Sequence, residues 1–288
     1  MKFRGDSQTR FAVSSPLCYH LAVFPVIARL GPFTLHTYTF LVDLGIAAGL
    51  GWLYRRAPAG RPARWLDAGL AVAVGGFIGA RLLYAVVNAS YYFGHMGEIF
   101  QIWQGGLAWP GALLGGLAGA WLYGARASRK REPLPLASLL DALALPIALL
   151  ALLSWGGCLA SSCAYGREVA AGQLPAWMTM NAPDIYGLAA PRWPTQALGA
   201  AWGLIALGLV WGVAERNRRW PAGARGAYAL SLIALGAFFL GFTRGDPMPL
   251  LNGFRLDVIG SALILVSASA AWAWLVSNPK LQNSTSKI

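Results

Sequence analysis

The chain has 288 residues, of which 57% are hydrophobic and only 12% charged, and its mean hydropathy is +0.51. That leaves too little polar surface to coat a soluble globule of this size, so the composition excludes an ordinary soluble domain and points to an integral membrane protein. The formal net charge of +12 would suit a nucleic-acid binder, but the basic residues fall in short clusters between apolar runs. Polytopic membrane proteins mark their cytoplasmic loops this way, and no nucleic acid is expected as a partner.

Residues 1 to 20 alternate polar and apolar side chains and do not read as a signal peptide, and Ser-Ser-Pro-Leu-Cys18 fits a lipoprotein cleavage box poorly. A membrane span needs about 20 mostly apolar residues, and seven stretches qualify: near 36–54, 67–90, 109–126, 137–156, 196–214, 226–243 and 256–276. Each is too apolar all round to be a soluble amphipathic helix. Arg55, Arg56, Arg61 and Arg64 follow the first stretch, Arg126, Arg129, Lys130 and Arg131 the third, and Arg216, Arg218, Arg219 and Arg225 the fifth. These three loops carry 12 of the 23 basic residues, which places them in the cytoplasm. The expected fold is therefore an all-α integral membrane protein with seven transmembrane helices, N-terminus outside and C-terminus inside. It divides into an extracytoplasmic segment 1–29, a membrane domain 30–277 and a cytoplasmic tail 278–288 with Lys280 and Lys287. Lys2, Arg4 and Arg10 run against this charge pattern, since they fall on the outer side.

The outward loops hold glycine, tryptophan, tyrosine, two cysteines and scattered single arginines, a mixture that suits a site better than a topology signal. Within the spans lie Asp43, Arg81 and Asp141. Each costs about 2.5 to 3.5 kcal/mol at mid-bilayer unless it finds a partner or a polar cavity. Arg81 lies in Gly75-Gly-Phe-Ile-Gly-Ala-Arg-Leu-Leu-Tyr84, where small residues leave room for an inward-facing guanidinium. It either pairs with Asp43 or Asp141 or binds an anionic group such as a phosphate. Asp141, near a helix start, reads as a cap or dipole partner. Gly111-Ala-Leu-Leu-Gly-Gly-Leu-Ala-Gly119 lacks the Lys-Ser/Thr ending of a phosphate loop and reads as close helix packing. Tyr91, Tyr92, Phe93, Trp103 and Trp109 read as an interfacial belt, with headgroup recognition as the sharper alternative. His36 beside Tyr38 is either an interfacial hydrogen-bonding group or a catalytic base.

Ser154-Trp-Gly-Gly-Cys-Leu-Ala-Ser-Ser-Cys-Ala-Tyr-Gly-Arg167 brings Cys158 and Cys163 within five residues of each other. In a continuous helix their Cα atoms would be about 8.6 Å apart, beyond the roughly 7 Å limit for a disulfide. Buried inert thiols at a helix end are thus the simplest reading. A disulfide on the oxidising side requires this glycine-preceded segment to be non-helical. A reactive thiol or a metal clip are the further alternatives, and the latter lacks companions, with His20, His36 and His95 the only histidines in the sequence. No metal or cofactor is expected.

Six motifs come in the order and at about the spacing of prolipoprotein diacylglyceryl transferases, and the chain resembles that family from about Leu30 to Ser267. They are Leu30-Gly-Pro-Phe-Thr-Leu-His-Thr-Tyr38, Gly79-Ala-Arg-Leu-Leu-Tyr84, Trp103-Gln-Gly-Gly-Leu-Ala-Trp-Pro-Gly111, the cysteine stretch, Arg192-Trp-Pro-Thr-Gln196 and Gly241-Phe-Thr-Arg-Gly-Asp-Pro247. The resemblance implies a seven-span protein of the bacterial plasma membrane. It also implies transfer of diacylglyceryl from phosphatidylglycerol, or another anionic phospholipid, to the lipobox cysteine of a secreted precursor. His36 and Tyr38 match the family's His-x-Tyr and are assigned the catalytic, thiol-orienting side. Arg81, Arg192 and Arg244 match its arginines and are assigned to the lipid phosphate.

The chain also departs from the family. Pro110 stands at a family histidine, Trp155 at an arginine of the signature, Cys158 at its asparagine, Cys163 at its acidic position and Ala237 at a later arginine. Gly157, Cys158, Cys163, Tyr165 and Gly166, followed by Arg192, Pro194, Thr195 and Gln196, resemble a divergent cysteine-containing branch. These replacements imply weak or altered transfer. The alternatives are a non-catalytic lipid-binding or membrane assembly protein on the same scaffold and, less readily, a small-solute transporter, for which paired interrupted helices are missing.

Overall fold

Each of the seven apolar stretches is a helix in the computed structural model, which describes residues 24–278 apart from 32, 102–104, 130–133, 171, 185 and 218. Cys18, His20, Trp103, Lys130, Arg131, Arg218 and the terminal charges Lys2, Arg4, Arg10, Lys280 and Lys287 lie outside the described residues. The long helices are α1 (Thr37–Arg56), α2 (Pro62–Val87), α4 (Trp109–Arg129), α5 (Leu136–Ser161), α6 (Thr195–Leu209, continued by a π turn at Val210–Ala214), α7 (Ala224–Gly241) and α8 (Leu256–Ser277). A single-turn α3 (Ala89–Tyr92) follows α2. By length and composition, α2, α5, α6 with its π turn, α7 and α8 are apolar enough to cross a membrane. The 26 residues of α2 rise about 39 Å, more than the roughly 30 Å hydrocarbon core. Outward-facing Leu82, Trp211, Leu263 and Val266 are all more than half exposed, as expected where the solvent is lipid.

Glycine sets the helix spacing. A Cβ on Gly75 would sit 2.4 Å from the Gly115 carbonyl oxygen, and one on Gly79 would sit 2.4 Å from that of Gly111. The backbones of α2 and α4 therefore touch along two small-xxx-small rows, the role expected of the 111–119 glycines. In α1 the buried residues are Gly45, Gly49 and Leu53, one face at four-residue spacing. That face receives Leu150 and Pro146 of α5. Leu53, Trp65, Ala68, Ala120, Leu139 and Leu143 form one core cluster, and Ala144, Ala148, Val210, Ala214 and Ala229 a second.

The helices run up and down between two ends. At one end Arg56 is bonded to Glu215 at 2.5 Å. Nearby, Asp141 accepts the backbone N–H groups of Gly223, Arg225 and Gly226 at 2.9 to 3.1 Å. It thus caps the start of α7 rather than its own helix, satisfying donors that a helix N-terminus leaves open. The other end carries three antiparallel hairpins that an all-α expectation omits: β1 (Val26–Leu30) with β2 (Phe33–His36), β3 (Met180–Pro183) with β4 (Ala189–Arg192), and β5 (Leu250–Leu251) with β6 (Phe254–Arg255). The first straddles the boundary drawn at residue 30. The third turns on Asn252 (φ 51°) and Gly253 (φ 82°), the pair of positive dihedrals that a two-residue hairpin turn favours.

Candidate functional site at the hairpin end

The cysteine stretch is the hub of this end. Helix α5 stops at Ser161, and Ser162 (φ 58°) and Ala164 (φ 50°) both take left-handed backbone, which costs a non-glycine residue about 1 to 2 kcal/mol. The reversal brings the Cα atoms of Cys158 and Cys163 to 4.6 Å, and the two are joined in a disulfide. The reading as inert thiols is thereby corrected. The helix ends between the two residues, so the separation of about 8.6 Å expected for a continuous helix does not apply.

Beyond the disulfide the chain is sewn to two neighbouring helix ends. Gln196, fully buried at the start of α6, donates from Nε2 to the Cys163 carbonyl at 3.0 Å. Gly166 bridges Arg244. Around that bridge, Arg167 N–H donates to Thr243 O and Gly245 N–H to Tyr165 O, both at 2.8 Å. On the other flank Trp193 N–H donates to Arg167 O at 2.9 Å, and a Cβ on Gly166 would lie 2.0 Å from the Trp193 carbonyl oxygen. Only glycine fits there. Thr195 Oγ1 lies 2.9 Å from Thr243 Oγ1, closing α6 onto α7.

The predicted arginines meet different partners. Arg192 is buried, donates to the Ala182 carbonyl and to Asp184 at 3.1 and 3.3 Å, and lies over the Tyr165 ring. Arg244 grips Asp246 with two bonds of 2.8 and 2.5 Å and reaches Asp257 at 3.4 Å. Arg255 grips Asp257 at 3.1 and 3.0 Å and donates to the Asp246 carbonyl at 2.8 Å. Burial disfavours the charge on Arg244, but the bonds to Asp246 and the field of Asp257 outweigh it and raise its pKa above the ordinary arginine value. Tyr38 belongs to the same group. Its hydroxyl bonds with the Ser154 side chain and lies in the field of Arg244, and its ring and backbone pack on Gly157. His36 is exposed just ahead of α1. Trp155 lies against Gly199 of α6, and Pro110 against Gly260 of α8.

Arg81 stands apart from this group. It is buried, and its guanidinium donates to the carbonyl oxygens of Glu98, Ile99, Gln101, Gly105 and Gly106 at 2.6 to 3.3 Å. The expected carboxylate partners are not used: Asp141 caps α7, and Asp43 is exposed on α1. Tyr84 and Tyr92 flank the guanidinium, so Tyr92 is buried, whereas Tyr91 and Phe93 remain exposed as a belt requires. The Glu98 carboxylate, bonded by the Tyr91 hydroxyl at 2.7 Å, raises that phenol's pKa.

Sequence reasoning missed Arg255, Asp257, Asp246, Ser154 and Thr243. Asp246 lies inside a quoted motif, and Arg255-x-Asp257 at the mouth of the last apolar stretch was the available signal for the cluster.

Apolar helices of bilayer length, with buried ion pairs and a disulfide-closed loop gathered at one end, define a multi-pass membrane protein with a polar site at that end. The comparisons agree and narrow the class. The family model for prolipoprotein diacylglyceryl transferase matches residues 25–274, and the chain belongs to that family. The phosphatidylglycerol–prolipoprotein diacylglyceryl transferase of Frankia alni is 29% identical over 258 residues, 85% of this chain and 64% of its own length. That of Rhodococcus jostii is 30% identical over 261 residues, 83% of this chain and 69% of its own. The Beijerinckia indica protein of the same name is 30% identical over 280 residues, 86% of this chain and 95% of its own. The chain thus spans just under two thirds of the Frankia relative and nearly all of the Beijerinckia one.

Proposed function

We propose that the chain transfers a diacylglyceryl group from phosphatidylglycerol to the lipobox cysteine thiol of a secreted precursor, at the hairpin end of the bundle. The observation that carries this reading is the convergence of Tyr38, Arg192, Gln196, Arg244 and the signature loop on that end. In the reaction a C–S bond forms between the cysteine sulfur and a glycerol carbon as the C–O bond to the phosphate breaks, and glycerol phosphate leaves with the bonding pair. The sulfur attacks as thiolate, so its proton must be accepted. Exposed His36 takes it, Tyr38 orients the thiol, and Arg244 and Arg192 stabilise the charge gathering on the phosphate. Arg81 serves the site by holding residues 98–101 and 105–106 in place, with its donors occupied by their carbonyls.

The same reading takes α1 and α4 as two further spans, seven in all across a membrane domain of residues 30–277, in the bacterial plasma membrane with the N-terminus outside. Its support is the Arg56–Glu215 bond, which puts the basic loops after the first and fifth apolar stretches at one end, opposite the hairpins. A second reading, a non-catalytic lipid-binding protein, is favoured by one observation: Arg81, Arg192 and Arg244 all have partners already. Phosphatidylglycerol and a lipobox peptide incubated with the purified protein separate the two. Transfer gives glycerol phosphate and a lipidated peptide, and neither product forms when the peptide cysteine is serine. Lipid retention without either product leaves the binding reading.

A further inference from the structure

The Cys158–Cys163 disulfide closes the reversal on which the rest of the hairpin end depends. Its two half-buried residues flank Ser162 and lead into Ala164, both in left-handed backbone that neither residue prefers. What the reversal delivers is specific. It presents the Cys163 carbonyl to the buried Gln196, and it feeds Tyr165 and Gly166 between Trp193 on one side and Thr243–Gly245 on the other. Tyr165 underlies Arg192, Gly166 is bridged to Arg244, and Gly157, the residue before Cys158, is the surface on which Tyr38 rests. Three of the residues assigned to the reaction therefore touch residues that immediately flank the loop this one covalent bond closes.

We infer that the Cys158–Cys163 bond is a positioning element for the site and that its reduction by a dithiol reversibly disables it. Exchange begins when a thiolate attacks one sulfur, forming a mixed disulfide and releasing the other cysteine. The second thiol of the reductant then attacks the mixed bond. The dithiol loses two electrons and two protons as it closes its own disulfide, and Cys158 and Cys163 receive them as two thiols. Without the bond, no covalent constraint holds Ser162, the left-handed residue inside the closed loop. The segment 162–168 then loosens from Gln196 and from 243–245, while α2 and α4, whose glycine packing shares none of these contacts, stay as they are. The inference rests on the transferase reading for its activity arm only.

The test uses the full-length protein in lipid nanodiscs, with dithiothreitol as the reductant, alkylation to count free thiols at Cys158 and Cys163, and amide exchange followed by mass spectrometry. When both thiols alkylate, exchange rises at least tenfold in 162–168 and 243–246 and is unchanged in the middle of α2 and α4. In a parallel sample reduced but not alkylated, kcat for lipid transfer falls about tenfold with KM for phosphatidylglycerol unchanged, and kcat and the exchange rates return to the parent values on reoxidation. The Cys158→Ser/Cys163→Ser variant starts at the reduced values and ignores dithiothreitol. Full alkylation with unaltered exchange in 162–168 and 243–246 overturns the inference, and so does a serine variant that transfers like the parent. If the protein never transfers lipid, the exchange arm still decides the positioning claim, so the two readings fail separately.

Discussion

Arg81 and Arg244 both belong to helix-end segments of one membrane bundle, yet they are held in opposite ways. Arg81 gives its donors to five backbone carbonyls of a single loop, so its hydrogen bonds are filled while no carboxylate among the described residues pairs with its charge. Arg244 shares two carboxylates with Arg255, so its charge is cancelled within the cluster while each of its bonds has a substitute. Filled donors fix a loop, and shared carboxylates leave an arginine that can change partners. Of the two, Arg244 is the one whose release toward a phosphate strands no buried group, because Arg255 keeps both aspartates.

The largest effect is expected at Arg81. Arg81→Gln strands several carbonyls at once, and a loss of about 3 to 5 kcal/mol is to be read as poor recovery of folded protein and rapid proteolysis within 98–106. Arg81→Lys restores only part of this, because an ammonium cannot reproduce the guanidinium fork. Full stability in Arg81→Gln would erase the contrast between the two arginines. Arg244→Gln comes next, with a stability change of about 1 kcal/mol and a transfer rate at least tenfold lower. A third, finer test is a double-mutant cycle. Arg244→Gln and Asp246→Asn are expected to couple by about 0.5 to 3 kcal/mol in thermal or denaturant stability, whereas Arg81→Lys and Asp43→Asn should be additive within about 0.5 kcal/mol.

The smallest expected effect is that of pH. The Arg244 pKa is raised in the folded protein, so its contribution is complete below the unfolded arginine value and is lost only as pH rises through the still higher folded one. The stability difference between the parent and Arg244→Gln should therefore stay flat from pH 7 to 10. A slope in that window would mean that another group carries the charge of the cluster.

The positions of the long helices were legible because hydropathy over some twenty residues is a strong, local signal. The 111–119 glycines were equally readable, since they repeat at the spacing of one helix face. The hairpins were not, being strands of two to five residues with no room for a period. The Arg81 partners were invisible for another reason: they are main-chain oxygens 17 to 25 residues away, and no side chain advertises a carbonyl. The disulfide was judged on helix geometry, which holds up to Ser161 and fails at Ser162, a residue type that gives no hint of left-handed backbone. Arg81 was legible as a charge inside an apolar stretch, and Arg192 and Arg244 were found by resemblance, but Arg255 and Asp257 lie outside those motifs and take their meaning only from folding back on Arg244.

Lipid transfer through Arg244, as proposed for the hairpin end, differs from mere lipid retention in one product, glycerol phosphate. The direct measurement is the amount of glycerol phosphate released per lipidated peptide by the parent protein and by Arg244→Gln, each first shown to be folded and to retain phosphatidylglycerol in nanodiscs. The expected result is one glycerol phosphate per lipidated peptide for the parent and at least a tenfold slower release for the variant. Retained phosphatidylglycerol with no release by the parent, or equal rates for the two proteins, would contradict it.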